Sequence, residues 1–197
     1  MNYLSFDIEA TGLDENDYII EFACVPFSTT DNKIYKEHSF HHFIKCPSFE
    51  ELKPNLNEWV IEHNEELIIK AHESGLPILD FKEKLSQYLA SPEIKNLFNN
   101  KKITLFGKSM AAIDLPFLNR DLGWEYMRKY FEHRQLDLSA IAYGLIDMSI
   151  IPNECESGSF LMKHLGLGEV EHTALEDAIN TADMYLKLLD IVEKKLN

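Results

Sequence analysis

The sequence predicts an α/β fold, a mixed sheet flanked by helices. Two observations carry that prediction: strand-like segments joined by short turns fill the first 45 residues, and helices with brief strands between them follow. "NYLSFDIEA" (2–10) alternates, with Leu4, Phe6 and Ile8 on one face and Ser5, Asp7 and Glu9 on the other. "GLDEND" is a turn, "YIIEFACVPF" (18–27) a more buried strand, and "STTDNK" a second turn. "KIYKEHSFHHFIK" (33–45) reads as a third strand with one polar face. Turns this short predict an antiparallel meander. Helices are predicted at 57–75 and 77–90, separated at Gly75 and Pro77, and a short strand at 102–107. Residues 114–123 and 124–133 read as helices. Residues 134–144 read as a strand entering a helix, 159–166 as a short helix, and 173–196 as a long terminal one.

The chain has 197 residues, enough for one domain spanning 1–197 with a full core. Its apolar runs are far shorter than a membrane span, and the N-terminus lacks a basic stretch followed by an apolar one. No membrane association and no signal peptide are expected. Three cysteines without metal-type spacing fit a reducing, cytoplasmic setting. A net charge of −14 argues against binding long duplexes by phosphate neutralisation, though not against a short strand held locally or through metal ions. His41 and His42 sit next to each other in a strand-like run and read as surface residues.

Asp7 and Glu9 point the same way from one strand, spaced to share a cation, although a solvated edge would carry the same pattern. Thr173 and Glu176 form a capping box, which starts the terminal helix at Thr173. Asp177 then lies at the end of the first turn and His172 just before it, where a helix dipole favours anions. Asp177 could equally serve only to offset that dipole. Asp114, with Pro116 two residues on, could be a plain N-cap or a further ligand.

Asp7-x-Glu9 in "FDIEATGL", Asp114 in "IDLPFL" and His172-x(4)-Asp177 in "HTALEDA" resemble, in order and local context, the three motifs of the DEDDh 3′→5′ exonucleases. The resemblance spans nearly the whole chain and implies a ribonuclease H-like fold with strands 1–3 antiparallel and later strands parallel. "NEWVIEHNEELIIKAHESGL" and "KYFEHRQLDLSAI" are similar to segments of the oligoribonuclease branch. The chain departs from the family at "GKSMAAID", where an Asn commonly precedes the second acid, and at His133, where that branch has Tyr.

The resemblance implies two ions, Mg²⁺ or Mn²⁺, bridged by Asp7. Glu9 and Asp177 would complete the shell of one ion, and Asp114 would help hold the other. His172 would take a proton from the attacking water, a task suited to an imidazole with pKa near ~6.5. Thr11, Gly12 and Leu13 would receive the 3′-terminal nucleotide, with Leu13 wedged against a base; without the family they read as a simple turn. Trp59 could stack on a base or belong to the core. Arg134 and Ser139 match branch positions that contact a 5′ phosphate but also read as a surface ion-pair partner and a helix cap. Lys108 is a further phosphate candidate. The expected activity is 3′→5′ hydrolysis of short single-stranded RNA to nucleoside 5′-monophosphates. A 3′→5′ exodeoxyribonuclease is the alternative, an inactive nucleic-acid-binding scaffold a more distant one, and the branch implies a homodimer.

Overall fold

A computed structural model describes residues 1–168 and 173–196. Strands β1 (Asn2–Ala10), β2 (Ile19–Ser28), β3 (Lys33–Ile34) and β4 (Phe40–Phe43) open the fold. Helices α1 (Phe49–Leu52), α2 (Glu58–His63), α3 (Glu65–Ser74), α4 (Ile78–Ala90) and α5 (Pro92–Leu97) lead to β5 (Leu105–Gly107). Next come α6 (Asp114–Leu122), α7 (Trp124–Tyr130), β6 (Leu136–Asp137), α8 (Leu138–Asp147), α9 (Gly158–His164) and α10 (Ala174–Leu196). The six strands form one mixed sheet in the order β3-β2-β1-β5-β6, with β4 also on β2. Pairing is antiparallel among β1–β4 and parallel for β1–β5 and β5–β6, as the ribonuclease H-like expectation requires.

The alternation of β1 sorts its two faces. Leu4, Phe6 and Ile8 join Phe81, Leu85 and Leu89 of α4 and Leu115, Leu118 and Leu122 of α6. Behind the sheet, Tyr3, Phe27 and Phe106 pack with Leu138 of α8, Leu161 of α9 and Ala182 of α10. The core therefore has a helical layer on each face of a twisted sheet. On α10, Ala174, Ala178 and Ala182 recur at one-turn spacing and are all fully buried. Small side chains let that helix lie close to the sheet, where the Ser5 hydroxyl donates to the Ala178 carbonyl at 2.7 Å.

Four expectations need correction. The segment 33–45 is two strands, interrupted by a 3-10 turn at Lys36–His38. Pro26, whose carbonyl accepts from the Tyr35 N–H, has no N–H of its own, so the ladder along that edge of β2 cannot run on. The helix expected at 57–75 breaks at Asn64, whose backbone (φ −113, ψ 6) leaves the helical region. The strand expected at 102–107 is confined to β5, with Ile103 forming an isolated bridge to Phe131. Helices α1 and α5 were not anticipated, although their N-terminal signals stand in the sequence. Ser48 and Glu51 form a capping box, and Ser91 caps a helix that begins with Pro92.

Candidate active site

Asp7 and Glu9 leave the same face of β1 toward the start of α10. Each of Asp7, Glu9 and Asp177 offers a carboxylate oxygen, and these oxygens all lie within 4.8 Å of one another. Asp114 is the first residue of α6, and its Oδ1 accepts from the Ile8 N–H at 3.2 Å. The third acid is thus fixed to the backbone between the first two. Asp114 is not the residue before the helix, and Ile113, which is, makes no side-chain cap. Thr173 precedes α10, and its hydroxyl accepts from the Glu176 N–H at 3.4 Å. His172 lies outside the described residues.

Burial, then Asp114, Glu9 and Asp177, push the Asp7 carboxyl well above its usual range. Burial foremost, then Asp177, Glu21 and Asp114, raise Glu9 to about 7. Burial, with a contribution from Asp137, raises Asp114 to about 7, against backbone hydrogen bonds that lower it. The charge of Lys108 opposes the rise at all three acids. A set of half-buried and buried hard oxygen donors that raise one another's pKa fits a divalent cation, which reverses the repulsion.

The turn after β1 is braced from within. The Thr11 hydroxyl donates to Asp17 Oδ1 and accepts from the Tyr18 N–H, each at 2.9 Å, and Thr11 is only 2% exposed. That hydroxyl is therefore committed to the turn. A Cβ at Gly12 would lie 2.3 Å from Asp17 Oδ2, so a larger residue here would displace the carboxylate that holds Thr11. Leu13 is 76% exposed and lines a cavity of about 790 Å³ with Leu52, Leu56 and Asn57. Trp59 is not core: it is 55% exposed and its ring stacks on His63 at 4.6 Å. Arg134 is exposed. Ser139 is not the cap of α8. That role belongs to Asp137, while Ser139 Oγ meets Ser109 Oγ at 2.9 Å.

Two acids that the sequence reading passed over hold the site together. Asp137 accepts from the N–H groups of Ser109 and Met110 as well as those of Ser139 and Ala140, tying the loop that carries Lys108 to α8. Glu21, 1% exposed on β2, faces Glu9 across the strand pair. It meets His41 Nε2 at 2.6 Å and accepts from the Ala174 N–H at 3.3 Å. His41 is therefore not merely a surface residue. A charged residue inside an otherwise apolar strand was the available signal for Glu21.

The mixed sheet gathers Asp7, Glu9 and Asp177 into a set of hard oxygen donors that a divalent ion fits, with Asp114 bonded to the backbone beside them. The chain belongs to the exonuclease family, whose model matches residues 4–185, and is a 3′–5′ exonuclease, a hydrolase. No curated protein matches the chain. Solved structures share its fold. The nuclease domain of 3′hExo, a DEDDh family member bound to rAMP, has TM-score 0.67 at 18% identity, with 96% of this chain and 92% of that one covered. Cell-death related nuclease 4 has TM-score 0.70 at 15% identity, covering 96% and 64%. Exonuclease I from Methylocaldum szegediense has TM-score 0.61 at 18% identity, covering 99% and 41%. The chain thus spans less than two thirds of these last two proteins. Among the described residues no helix is long and apolar enough to cross a membrane.

Proposed function

We propose that this chain degrades short single-stranded RNA from the 3′ end, releasing nucleoside 5′-monophosphates, in the manner of the oligoribonuclease branch. The observation that carries the reading is the convergence of Asp7, Glu9 and Asp177 within 4.8 Å, with Asp114 bonded to Ile8 between the first two. These four acids would hold two ions, Mg²⁺ or Mn²⁺, and a bound pair supplies an activated water and charge stabilisation at the leaving oxygen. His172, directly before Thr173 in the sequence, would take a proton from the attacking water. Lys108 offers charge to a phosphate, and Arg134 and Ser139 receive the far phosphate of a short strand. Thr11 and Gly12 shape the turn that receives the strand end, Gly12 by admitting the Asp17 carboxylate, and Leu13 wedges against the terminal base beside the cavity it lines. Trp59, exposed on α2, is available to a base.

A net charge of −14 suits short single strands better than long duplexes, whose binding needs a basic face. Three free, buried cysteines support a cytoplasmic location. The homodimer is proposed through the face that exposes Trp124, since Tyr126, Met127 and Phe131 of the same segment are interior. Light scattering at working concentration tests it, and a monomer mass removes it.

The decisive experiment uses 5′-labelled substrates with Mn²⁺ or Mg²⁺: a dinucleotide, a seven-residue RNA, a matched DNA and a duplex. Shortening of the two RNAs from the 3′ end, ahead of DNA and duplex, supports the proposal. Faster loss of the DNA would make it an exodeoxyribonuclease, and binding without cleavage a scaffold.

A further inference from the structure

Glu21 occupies a junction that the four-acid site does not use directly. Its strand, β2, lies between β1, which carries Asp7 and Glu9, and β4, which carries His41. Glu9 and Glu21 are paired across β1 and β2, and α10 begins above them. One Glu21 oxygen meets His41 Nε2 at 2.6 Å, and the other accepts from the Ala174 N–H at 3.3 Å. Ala174 opens the helical turn that ends at Asp177, whose own N–H bonds back to the Thr173 carbonyl at 3.0 Å. Ala174 is fully buried, so removing the Glu21 carboxylate would take away the acceptor of a buried N–H. A like charge opposite Glu9 is unfavourable in itself. Its presence needs a compensating role, and the two bonds supply one.

We propose that Glu21 is a positioning residue, braced by His41, that anchors the first turn of α10 and thereby holds Asp177 in coordination range of Asp7 and Glu9. The inference rests on the reading that these three acids bind divalent cations. The side chain stands behind the ligands, where partners that orient a ligating group typically change metal affinity by roughly 10–100-fold when lost.

Calorimetric titration of the full chain with Mn²⁺ tests it, alongside the half-saturating Mn²⁺ and the KM for a seven-residue RNA. Glu21→Leu removes both bonds and should weaken Mn²⁺ binding roughly 10–100-fold, with KM for the strand moving less than about threefold. Glu21→Gln can accept from Ala174 and donate to a neutral His41, and should restore affinity to within about threefold of wild type. His41→Ala, at a partly exposed position that should tolerate truncation, tests the brace if Glu21→Leu does not fold, and should weaken Mn²⁺ binding at least about threefold. Unchanged Mn²⁺ affinity in the folded Glu21→Leu and His41→Ala variants overturns the inference, as does a Glu21→Gln variant no better than Glu21→Leu. A wild-type protein that binds no Mn²⁺ would instead overturn the underlying site reading, so the two failures are distinguishable.

Discussion

The Ile8 N–H donates to Asp114 Oδ1 at 3.2 Å, joining the first turn of α6 to the backbone between Asp7 and Glu9. One carboxylate therefore satisfies a β1 donor and is proposed to bind metal as well. Asparagine keeps the acceptor and loses the charge, so Asp114→Asn should stay folded by circular dichroism while losing at least about 10²-fold in turnover of the labelled RNA. Asp114→Ala also strands the N–H and should cost about 1–3 kcal/mol of stability, read by denaturant titration. Turnover by the Asn variant within tenfold of wild type would contradict the ligand assignment.

Metal binding and pH should be coupled with a definite sign. Glu9 and Asp114, both raised to about 7, hold protons in the metal-free fold that the unfolded chain releases near its ordinary values of 4.5 and 3.8. Their contribution to stability therefore falls as pH rises from about 4 through about 7. A bound divalent cation takes the protons' place, so Mn²⁺ affinity should rise across the same window and level off above it. The increase in Tm that saturating Mn²⁺ confers should likewise be larger at pH 8 than at pH 5. Scanning calorimetry with and without Mn²⁺ checks both, and a pH-independent increment would count against proton displacement from these acids.

Asp137 offers a test of how the loop before α6 is held. Its oxygens accept from the N–H groups of Ser109 and Met110 on one side and cap α8 on the other. Ser109 has φ 55, a left-handed conformation unfavourable for serine and held here by that bond. Asp137→Ala should cost about 2 kcal/mol, from a lost cap and unsatisfied donors. It should also slow turnover, because Lys108 and Asp114 lie on either side of the released loop. Asp137→Asn keeps an acceptor and should recover most of both.

The β1 alternation and the helix at 114–123 were legible because their patterns are local: one residue in two for the strand, and a terminal Gly123 (φ 91) for the helix. That Asp7 and Glu9 share a face of β1 was legible because it too is local, whereas grouping Asp114 and Asp177 with them came from the family resemblance, since each alone could equally serve its own helix start. Glu21, His41 and Asp137 were not, since their roles depend on which strand lies beside which and on loops meeting across the sheet. The break in 33–45 escaped for a similar reason: Pro26 acts on a strand that is its neighbour only after pairing. Trp59 was left open between core and base because a Trp on an apolar helix face is usually core; here it stacks on His63 and is 55% exposed, which depends on packing the sequence does not display.

Leu13 separates binding from chemistry. It is exposed, lines its cavity with Leu52, Leu56 and Asn57, and is not one of the clustered acids. Truncation to Ala removes apolar surface worth about 1–2 kcal/mol if it packs against a base. KM for the seven-residue RNA should then rise roughly tenfold with kcat nearly constant, the pattern of lost uniform binding. A change confined to kcat would place Leu13 elsewhere in the reaction.

His172 tests the proposed proton acceptor, and its assignment rests on sequence position, directly before the Thr173 that caps α10. A general base contributes about 10²–10⁴-fold, so His172→Ala should lower single-turnover cleavage by that amount. Mn²⁺ affinity should change little, because none of the three clustered oxygens is removed. The wild-type rate should rise with pH through an imidazole-like step near ~6.5, superimposed on the carboxylate-linked rise in metal affinity. Saturating Mn²⁺ suppresses the second effect and leaves the first, and only the first should vanish in His172→Ala. A loss smaller than tenfold with the step intact would assign the proton transfer to another group.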